Sequence, residues 1–263
     1  MKKSKLSFNR SIFIDSSKLE EIRKWNSTGI IDGVTTNQMI MLKDGVKTRD
    51  FEKVVKSICH EMKEKPVSVE LTNSNISISE MVKEAERLND LAKNIVIKVP
   101  LIPETTKSLE VISRLLEKEV ALNITVMMTF EQMLMAILAT RHNKKTSFVS
   151  LFWGRTIEDQ AKYRSKKRFM NIFPKVGFNS PVNLTPNNIV KSTAEFLEKG
   201  GYQNPKIIVG SIRTASAVGE AFVSGAHIVT ATPDVLTAML FSKRSQETIA
   251  QFDEAWKELK KVT

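Results

Sequence analysis

The sequence predicts an α/β protein of the (β/α)8 TIM-barrel class, and three observations carry this prediction. Eight short runs rich in β-branched residues alternate with segments of helical periodicity, which is the pattern of βαβ units and a parallel sheet. Eight such units close a barrel, and a chain of 263 residues has the usual size of one. An open, doubly wound sheet is the alternative, but no G-x-G-x-x-G turn follows the first strand, so the barrel is favoured.

The eight predicted strands are short, and Val, Ile and Thr are frequent in them. In chain order they are "IFID" (12–15), "DGVTTN" (32–37), "VSVEL" (67–71), "NIVIKVP" (94–100), "LNITVM" (122–127), "FVSLFW" (148–153), "KIIVGS" (206–211) and "HIVTAT" (227–232).

The segments between these strands repeat apolar residues with the 3.6-residue period of a helix. The clearest are "ISEMVKEAERLNDLA", "TKSLEVISRLLEKE", "TFEQMLMAILAT" and "NNIVKSTAEFLEKG". The last of them ends at Gly200-Gly201, a helix stop signal, and the tail predicts a final amphipathic helix at about 245–261.

We expect one domain spanning 1–263, with a single long connection at about 155–186 after the sixth strand. This connection is too long for a plain loop, and we expect a short extra helix within it. Long βα connections in barrels border the active site, so this segment is predicted to lie near it.

Composition narrows the classes of function. The net charge is +11, yet the basic residues are interleaved with Glu and Asp apart from one local cluster at 162–168, and no nucleic-acid-binding signature accompanies them. Nucleic acid is therefore not expected as a partner, whereas anionic small substrates are. No apolar run is long enough to span a membrane, no signal peptide is recognised, and Cys59 is the only cysteine, so we expect a cytoplasmic protein without membrane contact.

Polar side chains stand at or near the carboxyl ends of most predicted strands. They are Asp15, Asn37, Glu70, Lys98, Thr125, Ser150 and Ser211. The carboxyl ends of barrel strands meet at one rim, where barrel enzymes keep their active sites, so these groups are expected to gather. Each has a simpler explanation alone: Asp15 could cap the helix that begins "SSKLEE", Asn37 could be a turn residue, and Thr125 is an ordinary strand former.

Lys98 stands out because it interrupts the apolar strand "NIVIKVP". Either this is an edge strand with its ammonium group in water, or the protein holds an amine in a dry place. A buried amine favours its neutral, nucleophilic form and can form a Schiff base with a ketone or aldehyde. That chemistry needs a proton shuttle, for which Asp15 and Glu70 are available. It needs no metal or other cofactor, and the three histidines have no ligand-like spacing.

Seven motifs in order resemble the transaldolase family, including its short microbial members and the related fructose-6-phosphate aldolases. They are "FIDSS", "GVTTN", "VELT", "IVIKVP", "LNITVM", "VSLFWGR" and "IIVGSIR". The resemblance implies a class I, Schiff-base-forming barrel that moves a dihydroxyacetone unit between sugar phosphates.

The resemblance also implies a role for each matching position. Lys98 matches the Schiff-base lysine, and Asp15 matches the acid/base that acts on the hydroxyl beside the breaking bond. Glu70 and Thr125 match the pair that holds the catalytic water. The groups that bind the hydroxyls of the dihydroxyacetone unit match Asn37, Asn123 and Ser150, and those of the phosphate site match Arg155, Ser211 and Arg213.

Two positions resemble the transaldolase branch of the family more than the aldolase branch. At the position of Glu70 the aldolase branch has a Gln, and at the position of Phe152 it has a Tyr. Transfer from sedoheptulose 7-phosphate to glyceraldehyde 3-phosphate, giving erythrose 4-phosphate and fructose 6-phosphate in the pentose phosphate pathway, is therefore the favoured reaction.

Three alternatives to that reaction stay open. One is cleavage of fructose 6-phosphate, and another is transfer on a different sugar phosphate. The chain departs from the family pattern at Gln38, Leu151 and Trp153, which leaves the acceptor aldehyde open. A catalytically weak barrel kept for binding is the alternative of another class, and the intact set from Asp15 through Arg213 argues against it.

The C-terminal "QFDEAWKELKK" is similar to the tail of short family members that assemble into rings. The resemblance therefore implies a homo-oligomer, a pentamer or a decamer.

Overall fold

A computed structural model describes residues 8–103, 105–163 and 185–262 of the protein, and for 159–163 it describes the backbone alone. Eight parallel strands form a closed barrel in chain order, with the last strand paired to the first. This confirms the predicted (β/α)8 class and excludes the open sheet.

Each strand lies within one or two residues of its predicted position. The strands are β1 (Ser11–Asp15), β2 (Ile31–Thr35), β3 (Val67–Glu70), β4 (Ile95–Pro100), β5 (Leu122–Met127), β6 (Ser147–Phe152), β7 (Pro205–Gly210) and β8 (Ile228–Ala231). Trp153 is an exception to the prediction, because it begins a helix instead of ending β6. Asn37 and Ser211 also lie beyond the ends of β2 and β7.

Helices follow the strands and surround the barrel. Those described are α1 (Leu19–Ser27), α2 (Gln38–Lys43), α3 (Phe51–Met62), α4 (Ile78–Asn89), α5 (Lys107–Glu117), α6 (Phe130–Thr140), α7 (Trp153–Tyr163), α8 (Pro186–Lys199), α9 (Ala215–Val223), α10 (Pro233–Ala238) and α11 (Lys243–Leu259). A short 3-10 turn, Thr48–Asp50, precedes α3. Helix α8 stops where Gly200-Gly201 predicts: Gly200 caps it, and Gly201 adopts the left-handed conformation that glycine favours.

The predicted long connection at about 155–186 is described only in part. Its first residues, up to Tyr163, belong to α7, which begins directly after β6. The stretch 164–184 lies outside the described residues, and so do the predicted extra helix and most of the basic cluster at 162–168. In the described part of the chain, no helix is long and apolar enough to cross a membrane.

An apolar layer fills the amino-terminal half of the barrel interior. It consists of Phe8, Phe13, Val96, Phe148, Ile208 and Ile228. The rings of Phe8, Phe13 and Phe148 meet edge to face, with centroids 5.5–5.8 Å apart, an arrangement that aromatic pairs prefer. Gly33 leaves room for them, because a Cβ there would lie 2.5 Å from the Phe13 ring. The interior of the barrel between these strands is therefore filled by apolar side chains in its amino-terminal half.

Polar side chains occupy the next layer of the interior, toward the carboxyl ends of the strands. Side chains two residues apart on a strand share a face, so the polar layer lies directly above the apolar one. Asp15 follows Phe13 on β1, and Lys98 follows Val96 on β4. Ser150 follows Phe148 on β6, and Thr230 follows Ile228 on β8.

Candidate active site

Lys98 lies in the polar layer of the barrel interior, with 5% of its side chain exposed. Its Nζ is 3.0 Å from Glu70 Oε2 and donates a hydrogen bond of 2.9 Å to the carbonyl oxygen of Thr36. Strand β4 pairs on both sides, with β3 and β5, so the edge-strand alternative is wrong. The protein holds this amine away from bulk water, beside a carboxylate.

The register of β3 and β4 explains the contact between Lys98 and Glu70. Glu70 is the last residue of β3 and stands opposite Lys98 in the parallel ladder, so both side chains rise from neighbouring positions of the inner wall. Only 12% of the Glu70 side chain is exposed. The amine and the carboxylate are close enough for a proton to pass directly from one to the other.

Asp15 ends β1 and accepts a hydrogen bond of 2.6 Å from the Thr35 hydroxyl. Burial raises the pKa of the Asp15 carboxyl, whereas the positive charge of Lys98 and the hydrogen bond from Thr35 lower it. The helix-cap explanation for Asp15 is wrong, because the residue that caps α1 is Lys18, with no side-chain cap bond. The net effect raises the pKa of this buried carboxyl above its ordinary value.

Asn123 and Ser150 are joined in the barrel interior. The Ser150 hydroxyl donates to Asn123 Oδ1 at 2.7 Å, and Asn123 Nδ2 donates to the Ser68 hydroxyl at 3.1 Å. All three are buried, and Asn123 stands opposite Lys98 in the ladder of β4 and β5. Since Ser150 spends its one proton on Asn123, its oxygen faces any further partner as an acceptor.

Thr125 Oγ1 is buried and has no hydrogen-bond partner among the described residues. The next residue, Val126, has a φ of 63°, which is strained for a β-branched side chain. The pairing of β5 with β6 is irregular at this point. A buried, unpartnered hydroxyl beside a strained residue is a feature typical of functional sites.

Asn37 does not point freely into the site. Its Oδ1 accepts a hydrogen bond of 2.9 Å from the backbone N–H of Ile40 and so caps the start of α2. The neighbouring Gln38 donates a hydrogen bond of 2.5 Å to the carbonyl oxygen of Leu71, directly after Glu70. Gln38, one of the positions where the chain departs from the family pattern, therefore ties the start of α2 to the end of β3.

The three residues of the predicted phosphate site stand on two neighbouring segments. Arg155 belongs to the first turn of α7, whereas Ser211 and Arg213 follow β7. The segments touch where the Gly154 N–H donates 3.0 Å to the carbonyl oxygen of Ser211. A Cβ at Gly154 would lie 2.3 Å from that oxygen, so only glycine permits this approach.

The side chains of these three residues differ in their contacts. Ser211 has a φ of 58°, and its hydroxyl is buried without a partner among the described residues. Arg213 forms an exposed ion pair of 3.4 Å with Glu158, and Arg155 contacts Met39 Sδ at 3.6 Å. Because Arg213 follows β7, it stands at the carboxyl-terminal mouth of the barrel, where its charge also acts on Asp15. No contact in the described part joins Arg155 directly to Lys98.

Phe152 and Trp153 flank the junction of β6 and α7. Phe152 ends β6, is partly buried and stands opposite Gly210 in the ladder with β7. Trp153 is buried and packs in the large apolar core between barrel and helices, as Leu151 does. Their contacts therefore explain Leu151 and Trp153 as packing residues.

Sequence reasoning missed several groups that complete the site. They are the Thr36 carbonyl, Ser68, Thr35, Thr230 and Gly154. Ser68 and Thr230 interrupt apolar strand runs as Lys98 does, and that signal could have found them. Among the described residues, no group of three or more His, Cys, Asp or Glu side chains is arranged to hold a metal ion.

The fold and these contacts define a class: a (β/α)8 barrel with a buried lysine that contacts a carboxylate near the carboxyl ends of its strands. Residues 12–263 match the family model described as Transaldolase/Fructose-6-phosphate aldolase. The chain therefore belongs to the transaldolase/fructose-6-phosphate aldolase family and is a transaldolase-type enzyme.

Curated relatives agree with this family. Proteins named "Probable transaldolase" from Streptococcus equi subsp. equi and Symbiobacterium thermophilum are 30% and 32% identical to the chain. Each match covers 95% of this chain, with 99% of the Streptococcus protein and 98% of the Symbiobacterium protein.

Solved structures share the barrel with far less sequence identity. Dihydrodipicolinate synthase from Rhodopseudomonas palustris is 13% identical with a TM-score of 0.55, over 94% of this chain and 80% of that one. Thiamine phosphate pyrophosphorylase from Pyrococcus furiosus is 9% identical with a TM-score of 0.52, over 86% and 87%. At such identities the likeness concerns the fold alone.

Proposed function

We propose that the protein is a transaldolase that moves a dihydroxyacetone unit from sedoheptulose 7-phosphate to glyceraldehyde 3-phosphate through a Schiff base on Lys98. One observation carries this proposal: the Lys98 amine is buried and lies 3.0 Å from the Glu70 carboxylate. A shielded amine beside a proton acceptor can lose its proton and attack a ketone. The family, and relatives named "Probable transaldolase", support the same reaction.

The proposed first half-reaction begins when Lys98 Nζ adds to the ketose carbonyl and water leaves, which gives an iminium ion. Asp15 then takes the proton of the hydroxyl group on the carbon beyond the breaking bond. The carbon–carbon electron pair moves into the iminium, so an aldehyde leaves and an enamine stays on Lys98. Asp15 suits this task because burial raises the pKa of its carboxyl group, which favours its taking up a proton.

The second half-reaction reverses these steps with a new aldehyde. The enamine attacks the acceptor carbonyl, Asp15 returns its proton to the new hydroxyl, and water releases the product from Lys98. We assign that water to Glu70 and Thr125. The buried Oγ1 of Thr125, which has no partner among the described residues, supports this role because such a group needs a hydrogen bond.

Cleavage of fructose 6-phosphate without an acceptor is the second candidate function. Phe152 argues for transfer, because it has no hydroxyl group that could help to protonate the enamine. Coupled assays with and without an acceptor aldehyde separate the two. Turnover that needs the acceptor supports transfer, and equal turnover without it supports the aldolase.

Borohydride trapping tests the Schiff base. Reduction in the presence of fructose 6-phosphate should leave a three-carbon adduct on the peptide that contains Lys98. Lys98→Met should abolish both adduct and turnover, whereas Lys65→Met, which removes another lysine bonded within the barrel wall, should keep the adduct. An adduct on a different lysine contradicts the assignment.

Activity should persist in excess EDTA, because the iminium ion replaces the Lewis acid of metal-dependent aldolases.

A further inference from the structure

A chain of two hydroxyl groups stands behind Asp15. Thr35 Oγ1 lies 2.6 Å from Asp15 Oδ1 and also 2.6 Å from Thr230 Oγ1. The three residues come from β1, β2 and β8, which are neighbours around the barrel. Thr35 and Thr230 are 2% and 4% exposed, so water has little access to the two hydroxyl groups.

The direction of these hydrogen bonds follows from counting protons. A hydroxyl group has one proton to donate, and an ionised carboxylate can only accept. When Asp15 is charged, Thr35 must therefore give its proton to Asp15 Oδ1. The proton in the contact between Thr35 and Thr230 must then come from Thr230.

We propose that Thr230 is a positioning residue for Asp15: by donating to Thr35, it holds the Thr35 proton on Asp15 Oδ1 and leaves Oδ2 as the oxygen that gains and loses the catalytic proton. The catalytic part of this inference rests on the proposed function, in which Asp15 is the acid/base. The hydrogen-bond order itself does not.

The alternative proton position is unfavourable for a geometric reason. A proton on Asp15 Oδ1 would meet the Thr35 proton across a contact of 2.6 Å. Thr35 would have to turn its donor toward Thr230, and Thr230 would have to turn its own proton elsewhere. A proton on Oδ2 requires neither change, so one arrangement of the hydroxyl groups serves both charge states of Asp15.

Charged groups face Asp15 from other elements and must be separated from this effect. Lys98 on β4 and Arg213 after β7 favour the carboxylate, whereas Glu70 on β3 opposes it. Thr230→Val changes none of these charges and nearly keeps the side-chain volume. Its effect on the titration of Asp15 therefore reports the hydroxyl chain alone.

The experiment compares Thr230→Val with Thr230→Ser, which keeps the hydroxyl group. Thr193→Val is the control, because the Thr193 hydroxyl is equally buried but bonds only its own helix, at the Ile189 carbonyl. The pKa of the Asp15 carboxyl is read from ¹³C NMR of aspartate-labelled protein, with Asp15→Asn to assign the signal. The pH dependence of kcat/KM for transfer is measured on the same variants.

Loss of the Thr230 proton weakens the bond from Thr35, because hydrogen bonds in a chain strengthen one another. Thr230→Val should raise the Asp15 pKa by about half a unit or more and move the acidic limb of kcat/KM up by the same amount. Thr230→Ser and Thr193→Val should leave both near wild type. If Thr230→Val does not fold, Thr230→Ala removes the same hydroxyl group and replaces it in the comparison.

An unchanged Asp15 titration in the folded Val or Ala variant overturns the inference, and so does an equal shift in the Ser variant. A shifted NMR titration with an unmoved pH profile has a different meaning. It keeps the hydrogen-bond order but rejects Asp15 as the acid/base, and with it that part of the proposed function.

Discussion

At the scale of single residues, Arg155 and Arg213 of the proposed phosphate site differ in the partners of their side chains. Arg213 is paired with Glu158 at 3.4 Å, and both side chains are more than half exposed. An exposed pair of this kind contributes little stability, so a phosphate group can replace the carboxylate as partner. The alternative is that Arg213 serves only to pair with Glu158, and substitution can distinguish this from a role in phosphate binding.

Truncation of either arginine should therefore act on phosphorylated substrates. Arg155→Ala and Arg213→Ala should each lower kcat/KM by about tenfold to a hundredfold, since a charge-assisted hydrogen bond contributes ~1.5–3 kcal/mol. An unphosphorylated donor with an unphosphorylated acceptor should lose much less. Arg23→Ala is the control, because the Arg23 side chain is exposed to a similar degree and pairs with Glu61 on the outer helices. Equal losses with both substrate classes would remove that arginine from the site.

Phe152 is the second residue whose chemistry can be tested directly. Phe152 is the last residue of β6 and stands at the rim of the barrel. Phe152→Tyr should raise the release of free dihydroxyacetone relative to transfer, because the new hydroxyl group could assist protonation of the enamine. The ratio of the two products is measured at fixed acceptor concentration. Phe196→Tyr, on the outer helix α8, should leave the ratio unchanged, and an unchanged ratio in both variants would show that Phe152 does not control the partition.

At the scale of elements, the entry of β8 contains a histidine that ties three strands together. The backbone carbonyl of His227 accepts from Ser11, and its N–H donates to Ile207. Its ring Nδ1 accepts a bond of 3.1 Å from the Ile207 N–H, so the ring is neutral at this atom. Burial, with Lys206 nearby, lowers the pKa of His227 from 6.5 to about 4.

This lowered pKa makes stability depend on pH in a defined window. Between pH 6.5 and 4 the unfolded chain binds a proton at His227 that the folded protein does not, so stability falls as pH falls. At 1.36 kcal/mol per unit, the loss from this one group reaches about 3 kcal/mol. His227→Asn keeps an acceptor near the Nδ1 position but cannot titrate.

The melting temperature of wild type should therefore fall faster than that of His227→Asn as pH decreases through this window. Lys206→Met should raise the pKa of His227 in the folded protein, because it removes a positive charge that opposes protonation of the ring. The pH range over which stability falls should then be narrower. If the melting temperatures of wild type and His227→Asn fall by equal amounts over this pH range, the assignment to His227 is contradicted.

At the scale of the whole molecule, helix α11 differs from the longer helices around the barrel in how little of its surface is covered. It has no buried residue, although it presents an apolar stripe formed by Ile249, Phe252, Trp256 and Leu259. These side chains are 58–69% exposed and recur at helical spacing, so they share one face. An apolar stripe of this length is typical of a surface that another chain covers.

We propose that the protein assembles with copies of itself through α11, as a pentamer or a decamer. Light scattering coupled to gel filtration should then give the mass of five or ten protomers. Phe252→Ser together with Trp256→Ser should reduce that mass, because both replacements remove apolar area from the stripe. Val223→Ser changes a residue that is 86% exposed on α9 and should not. A wild-type protein that runs as a monomer would reject the proposal.

The sequence by itself determined the barrel and the centre of its site. Each strand and most helices carry their own local signal, and the closed order of parallel strands follows from repeated βαβ units. Lys98, Glu70 and Asp15 could be predicted to gather because each stands at or near the carboxyl end of a strand, and these ends meet at one rim of the barrel. This geometric rule needs no knowledge of side-chain contacts.

Only the tertiary structure decided which groups are partners. Thr35 and Thr230 meet although they are 195 residues apart, and nothing local to either residue specifies the other. The same is true of Gly154, whose need for glycine comes from the Ser211 carbonyl on another strand's loop. Local periodicity fixes the face on which a side chain lies, but closure of the barrel fixes what stands opposite it. That is why Lys98 could be singled out from one strand, whereas the hydroxyl groups behind Asp15 could not be predicted.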